Sequence, residues 1–102
     1  MRVNNKDITF VVDTYADMFK SKAVLAYIAS GEEEGEVYGD VTINIPQYSL
    51  DEDECFLSAD CPLLIEAMVK NGYLKIVDEI KVNLGTYKIG TFTQKFIDEF
   101  ER

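Results

Sequence analysis

The sequence predicts an α+β fold, with an antiparallel sheet of four to six strands and one or two helices packed on one face. Apolar and polar residues alternate in several short segments, which is the period of a β-strand. Glycines bound a turn at residues 31–35, and Pro62 and Gly72 delimit a helical segment. Because the chain has 102 residues, 47% of them hydrophobic, residues 1–102 are predicted to form a single domain.

The first three strands are predicted to form an antiparallel meander. Apolar and polar side chains alternate over residues 7–15, which predicts the first strand. Residues 16–21 connect it to a second strand at 22–30. The apolar side chains on both faces of that strand are typical of a strand covered on both sides. The return strand, residues 36–45, follows the turn and ends before Pro46, which has no N–H to donate to a strand ladder. Its predicted buried face consists of alternate residues: Val37, Gly39, Val41, Ile43 and Ile45.

The second half begins with a predicted surface loop at 47–54 and a short edge strand at 55–58. A helix is predicted over 62–71, since proline suits a first helical turn and Gly72 follows its end. Its apolar stripe has helical spacing: Leu64, Ile65, Met68 and Val69.

Two further strands are predicted at residues 73–80 and 84–91, around a turn near Asn83. Residues 92–100 close the chain, with Phe92, Phe96, Ile97 and Phe100 at helical spacing. An extended start to this segment is the alternative.

The composition excludes several kinds of active site. With no histidine, the chain has neither a Ser–His–Asp triad, a Cys–His pair nor a histidine-ligated zinc site. Its glycines form no phosphate-binding loop. We therefore predict a non-enzymatic protein with no catalytic residue, no metal and no cofactor, although paired carboxylates leave a small hydrolase open as an alternative. The two cysteines, Cys55 and Cys61, are predicted to be free thiols of a cytoplasmic protein.

Negative charge is concentrated in the middle of the chain. The net charge is −9, yet residues 23–69 contain eleven acids and no Lys or Arg, whereas the remaining residues hold eight acids and all ten bases. Charge runs are usually solvated surfaces, and that reading stays open. A negative field of this kind also suits a basic partner, such as the Lys/Arg-lined groove of a nucleic-acid-binding protein.

A metal ion, a nucleic acid and a membrane are less favoured as direct partners. Residues 51–54 place oxygen ligands at alternating positions, as a calcium site requires, but the twelve-residue calcium loop with its central glycine is absent. Phosphate would repel a chain of this charge, so no direct nucleic-acid binding is expected. No apolar run approaches membrane-spanning length and no signal-peptide pattern is present, so no membrane association is expected.

Several sequence segments resemble those of a known family. YGDVTINIP at residues 38–46, and Asp60-Cys61-Pro62 before a helix closed by Asn71-Gly72, resemble a family of small uncharacterised acidic proteins. Bacterial mobile genetic elements, chiefly plasmids and conjugative transposons, carry that family. The chain is more loosely similar to anti-CRISPR inhibitors of type II RNA-guided nucleases. This likeness implies an inhibitor that occupies a positively charged guide or target channel.

The sequence and its resemblance together predict a partner-binding surface built from nine acids. They are Glu32, Glu33, Glu34, Glu36, Asp40, Asp51, Glu52, Asp53 and Glu54. Apart from Asp40, these acids form two clusters, at 32–36 and at 51–54. If 36–45 is one straight strand, the clusters lie at its two ends, roughly 30 Å apart. An accessory module that binds another protein of the mobile element is the alternative function.

Overall fold

The computed structural model of the chain describes residues 1–14, 22–43, 45, 50, 54–82 and 85–101. Within them, eight strands and two helices follow one another. In chain order they are β1 (Arg2–Val3), β2 (Lys6–Thr14), β3 (Lys22–Ile28), β4 (Val37–Asp40), β5 (Thr42–Ile43), β6 (Glu54–Leu57), α1 (Pro62–Lys70), β7 (Leu74–Val82), β8 (Gly85–Phe92) and α2 (Gln94–Phe100). The predicted α+β class is confirmed. The strands of the described residues divide into two antiparallel sheets of four.

The first sheet has the order β1-β2-β3-β4, and its last three strands are the predicted meander. β2 pairs with β3, which places Ile8 opposite Ile28, and the 31–35 turn then leads into β4. The short strand β1 was not predicted. It pairs with β2 across a tight turn in which Asn4 and Asn5 have positive φ, a conformation that asparagine tolerates better than most residues. The predicted connector at 16–21 lies outside the described residues.

The prediction of a single strand over 36–45 is wrong, because the chain passes from one sheet to the other at Val41. β4 ends at Asp40 in the first sheet and β5 begins at Thr42 in the second. Val41 N donates to Val24 O at 3.0 Å, and Ser58 N donates to Val41 O at 2.9 Å, so this residue bonds to both sides of the crossing.

The predicted burial pattern of 36–45 fails at two places: at the crossing, and at a β-bulge where Val37 rather than Tyr38 lies opposite Tyr27. In one straight strand, consecutive side chains point to opposite faces. Here Val41 and Thr42 are both buried, while Val37, predicted to share the buried face, is 59% exposed. Thr42 Oγ1 accepts the backbone N–H of Val24 at 3.0 Å, which satisfies this buried hydroxyl.

The second sheet has the order β5-β6-β8-β7. The edge strand predicted at 55–58 is therefore wrong in position: β6 lies between β5 and β8, because the unpredicted β5 forms the edge. β7 and β8 confirm the two strands predicted at 73–80 and 84–91. The turn near Asn83, and most of the loop predicted at 47–54, lie outside the described residues.

The helices close one core between the sheets. α1 contacts β7 and β1, and α2 contacts β2. Leu64, Ile65 and Met68 of α1 are buried, but Val69 is 40% exposed and does not belong to the predicted stripe. The chain leaves the helix through Gly72, whose φ of +80° fits the predicted end.

The closing segment 92–100 combines both predicted alternatives, since Phe92 ends β8 and a helix follows. Thr93 caps α2, its Oγ1 accepting Phe96 N–H at 3.3 Å. Phe96 is fully buried and its ring lies 4.5 Å from that of Phe92 and 5.5 Å from that of Phe10, centroid to centroid. This aromatic cluster joins the first sheet, the second sheet and α2 in one hydrophobic core.

Candidate functional site

The acidic turn, residues 31–36, projects from the end of the first sheet. Gly31 and Gly35 both have φ of +90°, which a residue with a Cβ rarely adopts, and nothing else occupies the space around them. Gly35 N donates to Ile28 O at 2.8 Å and Ile28 N to Glu36 O at 2.9 Å. The backbone is thus pinned to β3, and every residue from 31 to 36 is exposed.

An ion pair, Lys6–Glu33, and a hydrogen bond, Ser30–Asp7, tie the turn and the residue before it to β2. Lys6 Nζ donates to the Glu33 carboxylate, and this bond holds the pKa of Glu33 below its usual value. Asp7 accepts from Ser30 Oγ at 2.6 Å and from Arg2 Nη1 at 2.8 Å, which lowers its pKa, the serine being the larger cause. Glu33 therefore serves partly to fix the turn in place.

Four predicted acids on the first sheet and its turn are left without an ion pair in the part of the chain that the structure describes: Glu32, Glu34, Glu36 and Asp40. Glu32 and Glu34 stand on the turn beside Glu36, and Asp40 lies exposed at the end of β4. The turn is therefore a surface of net negative charge, with Glu33 alone of its four acids ion-paired to a described residue, held on an ordered backbone.

The remaining predicted site residues do not join this cluster. Glu54 begins β6 in the second sheet, where it is half-buried opposite Thr91. Asp51, Glu52 and Asp53 lie outside the described residues. The expected separation of roughly 30 Å assumed one straight strand over 36–45, and the break at Val41 removes that basis.

An apolar patch on the outer face of the first sheet adjoins the acidic turn. We call Val11, Leu25, Tyr27 and Val37 the outer patch. The strand register places Val11 opposite Leu25, and Tyr27 opposite both Thr9 and Val37. Val11 is 52% and Val37 59% exposed, while Leu25 and Tyr27 are half-buried.

The outer patch was missed in the sequence, although a signal for it was present. The apolar residues on both faces of strand 22–30 were interpreted as a strand covered on both sides, whereas Val11 and Val37 beside it are open to solvent. A shallow groove of about 500 Å³ runs from Thr9, Val11 and Tyr27 to Glu34 and Gly35. The groove thus connects the apolar patch to the acidic turn.

The lysines of the second half lie on the two helices and the second sheet. Lys70 ends α1, Lys75 and Lys81 lie on β7, and Lys88 lies on β8 directly across from Glu79. Lys95 on α2 donates to Asn71 O at 2.7 Å. Within the described residues, none of these five cations lies on the first sheet, but Arg2, Lys6 and Lys22 do, so the concentrated negative charge belongs to the acidic turn and not to the whole sheet.

A second cavity, of about 230 Å³, opens between β6, the start of α1 and the β7–β8 hairpin. Leu57, Ile65 and Tyr87 line it together with Glu66 and Lys88. Both signs of charge are present there, in contrast to the groove on the first sheet.

Both cysteines are free, as predicted. Cys55 is buried in the core, and Cys61 precedes α1 with its Sγ against the Cα of Gly39, where an added Cβ would clash with the sulfur. Burial, together with the nearby Asp60 and Asp40 carboxylates, raises the pKa of the Cys61 thiol. The thiol is thus a packing group that fixes α1 to β4.

The described residues contain no group of three or more cysteine and carboxylate side chains that could hold a metal ion. In the same part of the chain, the helices are too short and too polar to cross a bilayer.

No family model, no curated protein and no solved structure matches the chain. The resemblance to the mobile-element family therefore supports a proposal and not an assignment.

Proposed function

We propose that this chain is a non-enzymatic inhibitor that binds the basic nucleic-acid channel of another protein through its acidic turn. The exposed, ion-pair-free carboxylates of Glu32 and Glu34 are the observation that carries the proposal. A type II RNA-guided nuclease is the target that the sequence resemblance favours. Such a nuclease holds its guide and target strands in a positively charged channel.

The geometry of the turn suits this role. Its backbone hydrogen bonds to β3 and the Lys6–Glu33 pair order the turn before any partner binds. A preorganised surface loses less conformational entropy on association than a disordered acidic tail does. Fixed carboxylates at the end of a sheet therefore present charge at defined positions, as the phosphates of a nucleic acid do.

The charge distribution also gives the surface an orientation. Unpaired acids lie on the first sheet, and the lysines of the second half lie on α1, the second sheet and α2. Residues 54–101 hold eight acids beside these five lysines and form no positive pole, so approach is steered by the clustering of Glu32, Glu34 and Glu36 on the turn. Screening limits this attraction to about 8 Å at physiological ionic strength, so affinity is expected to fall as salt is raised.

A charge-reversal pair tests the proposal. Glu32→Lys with Glu34→Lys reverses two of the three turn acids that have no ion pair within the described residues, and both sites are exposed, so the fold is expected to persist. Asp60→Lys with Glu66→Lys is the matched control, because it changes the net charge equally at exposed positions next to and on α1. Affinity for a type II nuclease is measured with and without guide RNA across a salt series.

We expect the turn reversal to weaken binding at least about tenfold at low salt, which corresponds to about 1.4 kcal/mol, and the control to change it far less. Equal weakening by both pairs would mean that only net charge matters. Unchanged affinity in the turn reversal, with native circular dichroism, would leave the acids as a solubilising surface and refute the proposal.

A further inference from the structure

We infer that the outer patch is a docking surface for a cationic amphipathic segment of the partner, one that carries apolar side chains flanked by Lys or Arg. This inference rests on the proposed function, since it specifies how the partner beside the acidic turn is held. Its basis is an apolar sheet face bordered by unpaired acids.

The patch is contiguous. Directly opposed residues on neighbouring antiparallel strands hold their Cβ atoms about 5 Å apart. Val11 therefore lies beside Leu25, and Val37 lies beside Tyr27. Exposed apolar groups that cluster in this way mark interaction sites more often than the same groups scattered singly. The outer face of the second sheet contrasts with it, since its central pair, Phe56 and Ile89, is 2% and 5% exposed.

Charge selects the occupant. Asp40 lies directly opposite Leu25, Glu36 precedes Val37, and Glu34 lines the groove, which has no Lys or Arg among its described lining residues. A second copy of this chain would bring acids against acids, and nucleic acid or an anionic lipid surface would be repelled. A segment with an apolar stripe and basic flanks complements both features at once.

The test uses two synthetic peptides of equal length and charge: a leucine–lysine helix and a lysine–serine peptide. We expect the leucine–lysine peptide to bind more tightly, and this advantage to persist at high salt, where only the apolar contact survives screening. Amide chemical-shift changes are expected in β2, β3 and β4 around the patch. Equal binding of both peptides, or shift changes centred on β7 and β8, would overturn the inference.

Val11→Ser with Val37→Ser removes the most exposed half of the patch. Leu63→Ser with Val77→Ser is the matched control, since these side chains are 54% and 42% exposed on α1 and β7. We expect about tenfold weaker binding of the leucine–lysine peptide for the first pair, and no change for the control. If the serine pair loses its native circular dichroism, Val11→Thr with Val37→Thr keeps the branched shape and serves instead.

Wild-type affinity in the folded patch variant would contradict the inference, as would a concentration-dependent dimer of the wild type that the patch variant abolishes. The two proposals fail separately. Nuclease binding that the Glu32/Glu34 reversal abolishes and the serine pair leaves intact supports the proposed function and overturns this inference. A patch that binds the leucine–lysine peptide in a chain that binds no nuclease supports this inference alone.

Discussion

The two sheets share one core but differ in charge and in their outer faces. The first sheet carries a cluster of acids on its turn beside two half-exposed valines, whereas the second mixes lysines with Glu54, Asp78 and Glu79 and buries the central residues of its outer face. Both sheets contribute their inner residues to the same hydrophobic cluster. The difference therefore concerns surfaces alone: the stability of the fold depends on both sheets, whereas the proposed partner binding involves the first.

The largest expected effect tests whether the two sheets form one cooperative unit. Phe96→Ala removes the fully buried ring that contacts Phe10 from the first sheet and Phe92 from the second. We expect a loss of about 3–5 kcal/mol in the free energy of unfolding, measured by urea denaturation. Leu63→Ala, at a half-exposed position, is the control and should cost far less. Separate unfolding transitions for the two sheets would show that they are independent units and would contradict this prediction.

The next effect concerns the crossing between the sheets. Gly39→Ala places a methyl group against Cys61 Sγ, and we expect a destabilisation of about 1–3 kcal/mol, measured by urea denaturation. In a Cys61→Ala background the sulfur is gone, so the same substitution should cost much less. Equal costs in the two backgrounds would show that the contact does not limit position 39.

A smaller effect is expected at high pH on the side of α2. The hydrogen bond from the Tyr73 hydroxyl to the Glu99 carboxylate, with burial as the second cause, raises the pKa of Tyr73 to about 12. Because this folded-state pKa lies above the ordinary value of 10.0, the stabilisation is complete below pH 10 and is lost as the pH rises through 12.

An ultraviolet titration of the tyrosines measures this shift. The ionisation of Tyr73 should come late, near pH 12, in the wild type, and Glu99→Gln should move it to lower pH. Tyr73→Phe is the control that removes the late step altogether. A late step that survives Tyr73→Phe would assign the shift to another tyrosine.

The smallest effect sharpens the description of the acidic turn. In Lys6→Ala the pKa of Glu33 should rise toward its usual value, because the hydrogen bond from Lys6 is the larger cause of its depression. The pair stabilises the fold above the unfolded pKa of the carboxyl and ceases to do so as the pH falls through the folded one. Carboxyl carbon shifts followed by NMR measure it, and an unmoved Glu33 pKa would contradict the pairing.

Local features of the fold were predictable from the sequence, and the division into two sheets was not. Each predicted element depends on residues that are close together in the sequence. Alternating apolar and polar side chains predict the strands, Gly31 and Gly35 predict the turn, and Pro62 and Gly72 mark the ends of α1. The crossing at Val41 depends instead on hydrogen bonds to Val24 and Ser58, which are distant in sequence. No short-range pattern encodes such contacts, so alternation alone suggested one continuous strand.

The candidate site follows the same division. The exposure of Glu32, Glu33 and Glu34 follows from a turn between two strands, so the sequence was sufficient to predict it. The outer patch required the strand register, because only pairing brings Val11 beside Leu25 and Val37 beside Tyr27. Which apolar face of a strand remains uncovered depends on packing elsewhere in the chain.

Hydroxyl-radical footprinting of the chain, free and bound to a type II RNA-guided nuclease, tests the central claim most directly. Exposed apolar side chains report on both sheets: Val11 and Val37 on the first, and Val77 on the second. We predict that the nuclease slows oxidation of Val11, Tyr27 and Val37 and leaves that of Val77 and the helical Leu63 unchanged. Protection of Val77 with continued oxidation of Val11 and Val37 would place the interface on the second sheet and contradict the account.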